Sequence, residues 1–538
     1  MLRAPAGAPA CALIALLVAG SAGALPASAA ANEALDAAFA RLWAAETDQE
    51  TAAAVEAILA AGADAGEVRA RLRAGRPYAP APTGRQALSR RNRDGVEHPY
   101  ILHVPAGYDP AAPLPLRVYL HGGVMRPLPA GDDWWRGEDR WVRDDAIVVA
   151  PASWNGSPWW QRSQIENVDG LLADIKRRYN IDENRVHLLG VSDGATGAYY
   201  FAFKAATPWA AYLAFIGHPA VLGHPGTQVD GQMHVVNLRG RPLFIINGAN
   251  DRLYPAAMIE PYVRLFADAG VEVAYRPQAE AGHDLSWWDA EVSRVEAFIA
   301  ATVRSPLPDA LSWETESAVE FNRSHWLVID ELGPVRGEAA LEEHNLVSVP
   351  GPRTPLGIDA VAELPDGAGL RLAQVGSESL AEQAGLQPDD VILEMGGATV
   401  RTVEQARAVI LEVRPGQDVP VTLQRGGAPL QLTLRFPATP PSMPRIAFPR
   451  RRTSGRVELA RSGNTVEAST RGVRRFTLLV SGDQFDLSQP IRVVVNGAVA
   501  HDAVVTPDAA TLLRWATVDW DRGLLFDAEI PVEVQPAP

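Results

Sequence analysis

From residue 99 to about 304, apolar runs alternate with amphipathic stretches along the chain. Strand-like runs occur at YILHVP (100–105), LRVYLHG (116–122), AIVVAP (146–151), VHLLG (186–190), AAYLAFIG (210–217) and PLFIING (242–248). Helical stretches separate them. In IENVDGLLADIKRRYN, Ile165, Val168, Leu171, Leu172 and Ile175 recur at the spacing of one helix face. Several strand runs are apolar at consecutive positions, as expected for strands covered on both sides. The pattern predicts an α/β domain over residues 95–304, built on a mostly parallel sheet with helices on both faces.

The flanks read differently. Residues 31–80 are Ala-rich, with Leu35, Phe39, Leu42 and Trp43 on one helical face and Val55, Ile58 and Leu59 on another. They predict a small helical N-terminal segment that packs and carries no chemistry. After SPLPDA the runs AVEF and HWLVIDEL, within 310–333, are strand-like, and a linker follows. Residues 350–438 form a unit of their own, closed by the Pro-rich stretch FPATPPSMPRIAFPRRR. Residues 455–535 read almost entirely as strand, with a turn at Asn496-Gly497. Two strands cannot bury a core. The 310–333 run is therefore expected to supply the first strands of a C-terminal β-sandwich-like domain whose remainder is 455–535, with 350–438 inserted between them.

Composition narrows the function classes. The chain has 538 residues, enough for two to four domains, and its 47% hydrophobic and 21% charged content is that of a globular protein. A formal charge of −15 leaves little to neutralise a phosphate backbone, so no nucleic-acid partner is expected. The local exception, Pro449–Arg452, lies in the linker. At the N-terminus Arg3, an apolar run from Ala10 to about Gly20 and the series Ala27-Ser28-Ala29 fit a cleaved signal peptide over residues 1–29. The run is too short to span a bilayer. An exported protein, periplasmic or extracellular and without stable membrane insertion, is expected. The single cysteine, Cys11, lies inside that leader, so the mature chain would hold no disulfide and no thiol nucleophile. HPAVLGHPG brings His218 and His224 close in sequence, but at no metal-ligand spacing; no metal and no cofactor are expected.

The candidate chemistry starts at VHLLGVSDGATGAYYFA. Gly190-Val191-Ser192-Asp193-Gly194 is a G-x-S-x-G placed after a strand and at the start of a helix. Alone, it fits a glycine-rich turn equally well. A serine nucleophile needs a base, and the base needs an orienting acid. Asp251 stands just past the apolar run of PLFIINGANDRLYP, 59 residues after Ser192, and His283 follows 32 residues later in AEAGHDLSWW. Both follow strands, at the end of a parallel sheet where sites are built. Asp284 is a neighbour better suited to a loop or cap. His121-Gly122-Gly123, directly after a strand, stands where a second oxyanion donor is expected. The donors are assigned to the backbone N–H groups of Asp193 and of Gly123 or Val124.

Together these segments, with PAGYDPAAPLPLRVYLHGG, DENRVHLLGVSDGATGA, INGANDRLYP and AGHDLSWW as the carrying stretches, resemble the α/β-hydrolase superfamily. They are similar to secreted esterases grouped with polyhydroxybutyrate depolymerases and feruloyl esterases, and to the catalytic domain of prolyl oligopeptidases. The resemblance implies a serine hydrolase working through an acyl-enzyme. Asp193 departs from many relatives, and a carboxylate there sits close to the developing oxyanion. Trp134, Trp135, Trp154, Trp159, Trp160, Trp287 and Trp288 lie in loops near the expected site, either as walls of an acyl pocket or as loop packing.

Residues 354–436 resemble a PDZ domain of the kind found in bacterial exported proteases, on the pieces PLGI (355–358), LAEQAGLQPDDVILEMGG (380–397) and TVEQARAVILEV (402–413). The resemblance implies that Leu356-Gly357-Ile358 offers N–H groups to a peptide's terminal carboxylate, with the peptide adding beside a strand near 369–375. A spacer or lid is the alternative role. Asp389-Asp390 replaces a more usual Pro-Gly-Asp turn. Three readings follow: an esterase acting on small-molecule esters, a peptidase recruiting C-terminal peptides through the PDZ unit, and an inactive binding scaffold.

Overall fold

The computed structural model describes residues 27–128, 131, 134–135, 138–334, 344–350, 355–414, 416–438 and 442–535. Most of the expected leader, including Cys11, lies outside these residues. Among the described residues no helix is long and apolar enough to cross a membrane.

The chain divides into two compact units, one made of residues up to 77 with 506–528, the other of 78–505 with 529–538. In the first, α1 (Ala27–Ala44), α2 (Asp48–Ala60) and α3 (Ala65–Ala74) are joined by a fourth helix, Ala509–Asp519. A capping box between Thr47 and Glu50 starts α2, satisfying N–H groups the helix cannot reach. Leu35, Phe39, Leu42, Ile58, Val68 and Leu72 share a core with Leu512 and Leu513. The segment expected to be all strand thus contains a helix. Its apolar positions at 512, 513 and 516 need the N-terminal helices to be buried.

The second unit begins with an eight-stranded sheet. Its strands are β1 (Gly84–Arg91), β2 (Glu97–Val104), β3 (Leu114–Leu120), β4 (Ile147–Pro151), β5 (Ile181–Val191), β6 (Ala211–Phe215), β7 (Leu243–Gly248) and β8 (Val273–Gln278). They lie in the order β1-β2-β4-β3-β5-β6-β7-β8, antiparallel for β1–β2 and β2–β4 and parallel thereafter. The edge strands β1 and β8 hold no fully buried residue and no apolar run longer than three residues, and β1 extends the sheet to residues before 95. The helices are α4 (Glu138–Trp141), α5 (Arg162–Arg178), α6 (Asp193–Lys204), α7 (Ala256–Asp268) and α8 (Trp288–Ala301). Strand alternation sorts residues between two cores: Tyr212, Ala214, Leu243 and Ile245 pack with α5, α6 and α7, whereas Leu213, Phe215, Phe244 and Ile246 pack with α4 and α8. This is the α/β-hydrolase architecture expected from the sequence.

Strands from 310–332 and 455–533 form two further sheets. Leu327–Leu332 pairs with Val473–Val480, placing Leu327 opposite Leu478, and Ala310–Thr315 pairs with Gly455–Ser462, placing Trp313 opposite Val457. A buried charge cluster fastens this part to α6. Glu316 Oε1 accepts from Lys204 Nζ at 3.2 Å and from the Gln232 N–H at 2.7 Å, and its Oε2 lies 3.0 Å from His234 Nε2.

The inserted unit is a five-strand path ordered Ile358–Glu363, Leu370–Val375, Val391–Met395, Asp418–Arg425, Ala428–Arg435, with helix Val403–Leu411. A two-stranded ribbon, Leu346–Pro350 with Ser442–Ile446, carries the chain in and out. Strand Leu370–Val375 is interior, paired on both sides, so it offers no free ladder. The sheet's edges are Ile358–Glu363 and Ala428–Arg435, and of these Ile358–Glu363 directly follows the Leu356-Gly357-Ile358 loop, so the candidate for adding a peptide is that strand and not Leu370–Val375. Asp390 is fully buried, held by Arg425 Nε at 2.7 Å and Nη2 at 2.8 Å, so the departure at Asp389-Asp390 is a structural anchor.

Candidate active site

Ser192 stands between β5 and α6 with φ 56° and ψ −119°, backbone angles that cost a non-glycine residue free energy. The glycines around it are required by close approach. A Cβ at Gly194 would lie 1.9 Å from the Leu120 carbonyl oxygen, and one at Gly190 would lie 2.0 Å from the Gly194 carbonyl oxygen. Both clashes are with backbone, which has no room to give. The Ser192 N–H donates to the Phe215 carbonyl at 2.9 Å, tying the turn to β6.

Asp251 follows β7 and His283 follows β8, and the strand order brings both to Ser192. Ser192 Oγ is 2.9 Å from His283 Nε2, and His283 Nδ1 is 2.8 Å from Asp251 Oδ2. The other Asp251 oxygen, Oδ1, accepts the N–H groups of Leu253 at 2.7 Å and Tyr254 at 2.9 Å. Asp251 is 2% exposed, and with both of its oxygens accepting hydrogen bonds it takes the donor at Nδ1–H and leaves Nε2 to accept from the serine hydroxyl. Asp284 is outside this set. It accepts the Ser286 N–H at 2.8 Å, and the Ser286 contacts hold its carboxyl below the usual range.

The loop after β3 is fixed by His121. Its Nδ1 lies 2.8 Å from the Gly122 carbonyl, its Nε2 accepts the Ser153 N–H at 3.0 Å, and its own carbonyl accepts Trp159 Nε1 at 2.9 Å. Burial pushes the imidazole down to about 4, so near neutrality it is uncharged, with Nδ1 as the donor. The oxyanion assignment needs one correction. The Val124 N–H donates to Asp193 Oδ2 at 2.9 Å and is therefore taken. Of the expected donors, the N–H of Asp193, in the first turn of α6, and the N–H of Gly123 remain as candidates. Asp193 acts as a strut between the nucleophile turn and the 121–124 loop, where the sequence offered only a neighbouring negative charge.

The tryptophans resolve as packing. Trp134, Trp135, Trp287 and Trp288 belong to the core on the α4 and α8 face, and Trp159 and Trp160 to the opposite core. Trp154 packs on His98 at 5.2 Å. Exposed apolar side chains near the site are Met125 and Leu253, each 60% exposed. Tyr254 was not singled out in the sequence; its signal was its place three residues after Asp251. Its ring lies edge-on to His283 at 5.8 Å, and burial, then Asp193 and Asp251, raise its phenol pKa. Among the described residues no group of three or more His, Cys, Asp or Glu could hold a metal ion.

In the inserted unit, Gly357 has φ 75°, and a Cβ there would sit 2.1 Å from Ser379 Oγ. The carbonyls of Pro355, Leu356 and Gly357 accept from Leu380, Ala381 and Gly376. That arrangement fixes the loop ahead of the edge strand.

Comparison with known proteins places these parts. The family model described as PDZ domain matches residues 354–435. The chain is 26% identical over 174 residues to the bifunctional acetylxylan esterase/xylanase XynS20E of Neocallimastix patriciarum, covering 31% of this chain and 24% of that protein. It is 31% identical over 111 residues to the magnetosome formation protease MamE of Paramagnetospirillum magneticum, covering 20% of this chain and 15% of that one. The chain thus spans less than a quarter of the length of these curated relatives. A solved thermostable esterase aligns at 22% identity with a TM-score of 0.34, covering 41% of this chain and 63% of its own. Residues 354–435 are therefore a PDZ domain, inserted in a chain whose residues 84–301 have the α/β-hydrolase fold.

Proposed function

We propose that this chain is an exported serine hydrolase that cleaves esters through an acyl-enzyme on Ser192. The observation that carries the reading is the hydrogen-bonded line Ser192 Oγ–His283 Nε2 at 2.9 Å and His283 Nδ1–Asp251 Oδ2 at 2.8 Å. As Oγ bonds to the substrate carbonyl carbon, its proton passes to Nε2, and Asp251 stabilises the imidazolium. The carbonyl oxygen becomes negative facing the N–H groups of Asp193 and Gly123. Collapse breaks the bond to the leaving oxygen, which takes the proton from Nε2, and water repeats the sequence to release the acid. An ester is the first reading because of the His121-Gly122-Gly123 loop and the similarity to an acetylxylan esterase. Export rests on the N-terminal pattern around Arg3, the apolar run and Ala27-Ser28-Ala29.

A second reading, a peptidase, is favoured by the PDZ domain. Its edge strand Ile358–Glu363 and the Leu356-Gly357-Ile358 loop suit an added peptide strand with a terminal carboxylate. The test is labelling of the protein by a fluorophosphonate, compared with Ser192→Ala, followed by turnover of p-nitrophenyl esters and of peptidyl amides. Labelling lost in the variant, with esters outpacing amides, supports the first reading, and the reverse ranking supports the second. No labelling of the parent leaves a binding scaffold.

A further inference from the structure

The two hydrogen bonds of His283 define a line through the imidazole, from Asp251 to Ser192. They hold the ring at its two nitrogens and leave its faces to other neighbours, and the side chain is 25% exposed. Tilt of the ring out of that line would turn the Nε2 lone pair away from the serine proton, because hydrogen bonds weaken steeply with misalignment.

A ring stands against that motion. Tyr254 meets His283 at 5.8 Å and 67°, an edge-to-face contact. Tyr254 is itself held. Its N–H bonds Asp251 and its carbonyl accepts Asn247 Nδ2 at 3.2 Å, while its ring contacts His218 at 5.9 Å and 62°. His218 is fixed by accepting the Ala220 N–H at Nδ1, at 2.9 Å, and meets Tyr262 of α7 at 5.1 Å and 80°. Tyr262 meets Phe448 at 5.9 Å and 66°.

Phe448 is where the ladder is anchored. It follows the ribbon strand that leaves the PDZ domain, and Asn345, just before the entering strand, clamps its backbone. Asn345 Oδ1 accepts the Phe448 N–H at 3.0 Å, and Asn345 Nδ2 donates to the Phe448 carbonyl at 2.9 Å. The Phe448 ring also packs on Phe203 of α6, the helix that begins beside the nucleophile, at 5.2 Å.

We infer that Tyr254 is a positioning residue for the His283 imidazole, backed by the ladder His218–Tyr262–Phe448 that seats it on the junction between the α/β domain and the PDZ ribbon. The inference rests on the hydrolase reading for its kinetic consequence but not for its geometry. A change at Phe448, four ring contacts from His283, therefore reaches the imidazole, and the hydroxyl of Tyr254 is not what acts.

The test uses the full chain labelled with ¹⁵N-histidine. The downfield Nδ1 proton of His283, assigned by its loss in His283→Gln, reports the held ring whether or not the protein turns over a substrate. Tyr254→Leu is expected to broaden or shift that resonance, Tyr254→Phe to restore it, and Phe448→Leu to move it partway. Phe485→Leu, a buried ring that contacts Trp326 and not the ladder, is expected to leave it unchanged. On an ester substrate, Tyr254→Leu is expected to lower kcat by about 10- to 100-fold with KM little altered, the signature of a misplaced group. A Tyr254→Leu protein that keeps the parent resonance overturns the inference, as does Tyr254→Phe failing to restore it. If Tyr254→Leu does not fold, Phe448→Leu against Phe485→Leu decides on the same resonance. Should the parent hydrolyse nothing, the hydrolase reading falls and the resonance still judges the ladder.

Discussion

Replacing Asp251 by asparagine tests the site more sharply than deleting it. Oδ1 of Asp251 accepts two backbone N–H groups, from Leu253 at 2.7 Å and Tyr254 at 2.9 Å. In Asp251→Asn only the amide oxygen can face those donors, so the amide NH₂ is forced to face His283 Nδ1. Two donors cannot share that 2.8 Å contact. The imidazole must then give up its Nδ1 proton and carry it on Nε2, which points a donor at Ser192 Oγ and removes the base. All buried polar groups stay bonded, so folding should be little affected. Turnover should fall about 10⁴-fold, equivalent to ~5.5 kcal/mol of lost transition-state stabilisation. Asp284→Asn, on an exposed side chain bonded only to its own loop, should leave kcat unchanged within about twofold, as surface changes usually do. The assay is ester turnover with active-site titration by a fluorophosphonate, alongside a urea unfolding curve. An Asp251→Asn protein retaining a tenth or more of the parent turnover, or an Asp284→Asn protein that is inactive, would refute the tautomer argument.

Asp193→Ala should cost about 10-fold or more in kcat, because the 121–124 loop loses a charge-assisted bond of ~1.5–3 kcal/mol, whereas Asp193→Asn keeps an acceptor for Val124 and should stay close to the parent. An alanine variant with parent-like turnover would dismiss the strut. Glu316→Gln should destabilise the fold by ~3–5 kcal/mol in urea, since Lys204 stays buried with its carboxylate gone. Burial opposes ionisation of Glu316, but His234 and Lys204 hold its carboxyl below the usual 4.5, so its contribution is complete above that pH and is lost on acidification. The stability gap between parent and variant should therefore narrow below pH 4.5, and a gap that is absent at pH 7 would discount the cluster.

Several features were legible because the cause is local. The G-x-S-x-G turn could be read from five residues, since the clash that demands Gly190 is with the Gly194 carbonyl of the same turn. The PDZ pieces were legible for the same reason, as loop, turn and helix each carry their own residue pattern. Other features were not. Strands Gly84–Arg91 and Val273–Gln278 are sheet edges in which no residue is fully buried and no apolar run exceeds three residues. Helix Ala509–Asp519 sits in a strand-rich stretch and is selected by the core it shares with α1–α3. Tryptophan says only that a large ring must be buried somewhere, so seven of them near one site could not reveal that they pack the sheet faces.

What the chain order alone determined was the inventory: a serine on a turn too tight for side chains beside it, an acid and a histidine after successive strands, and a PDZ module. Those follow from sterics and hydrogen bonding within a few residues. Only the folded chain decided which donors meet which acceptors. The Val124 N–H is consumed by a carboxylate 69 residues away, and Ile358–Glu363, not Leu370–Val375, lies at an edge of the PDZ sheet. The imidazole is walled by a ring whose support comes from Phe448. Such pairings are set by sheet order and by which faces pack, and contacts between residues far apart in sequence carry no signature in either local segment.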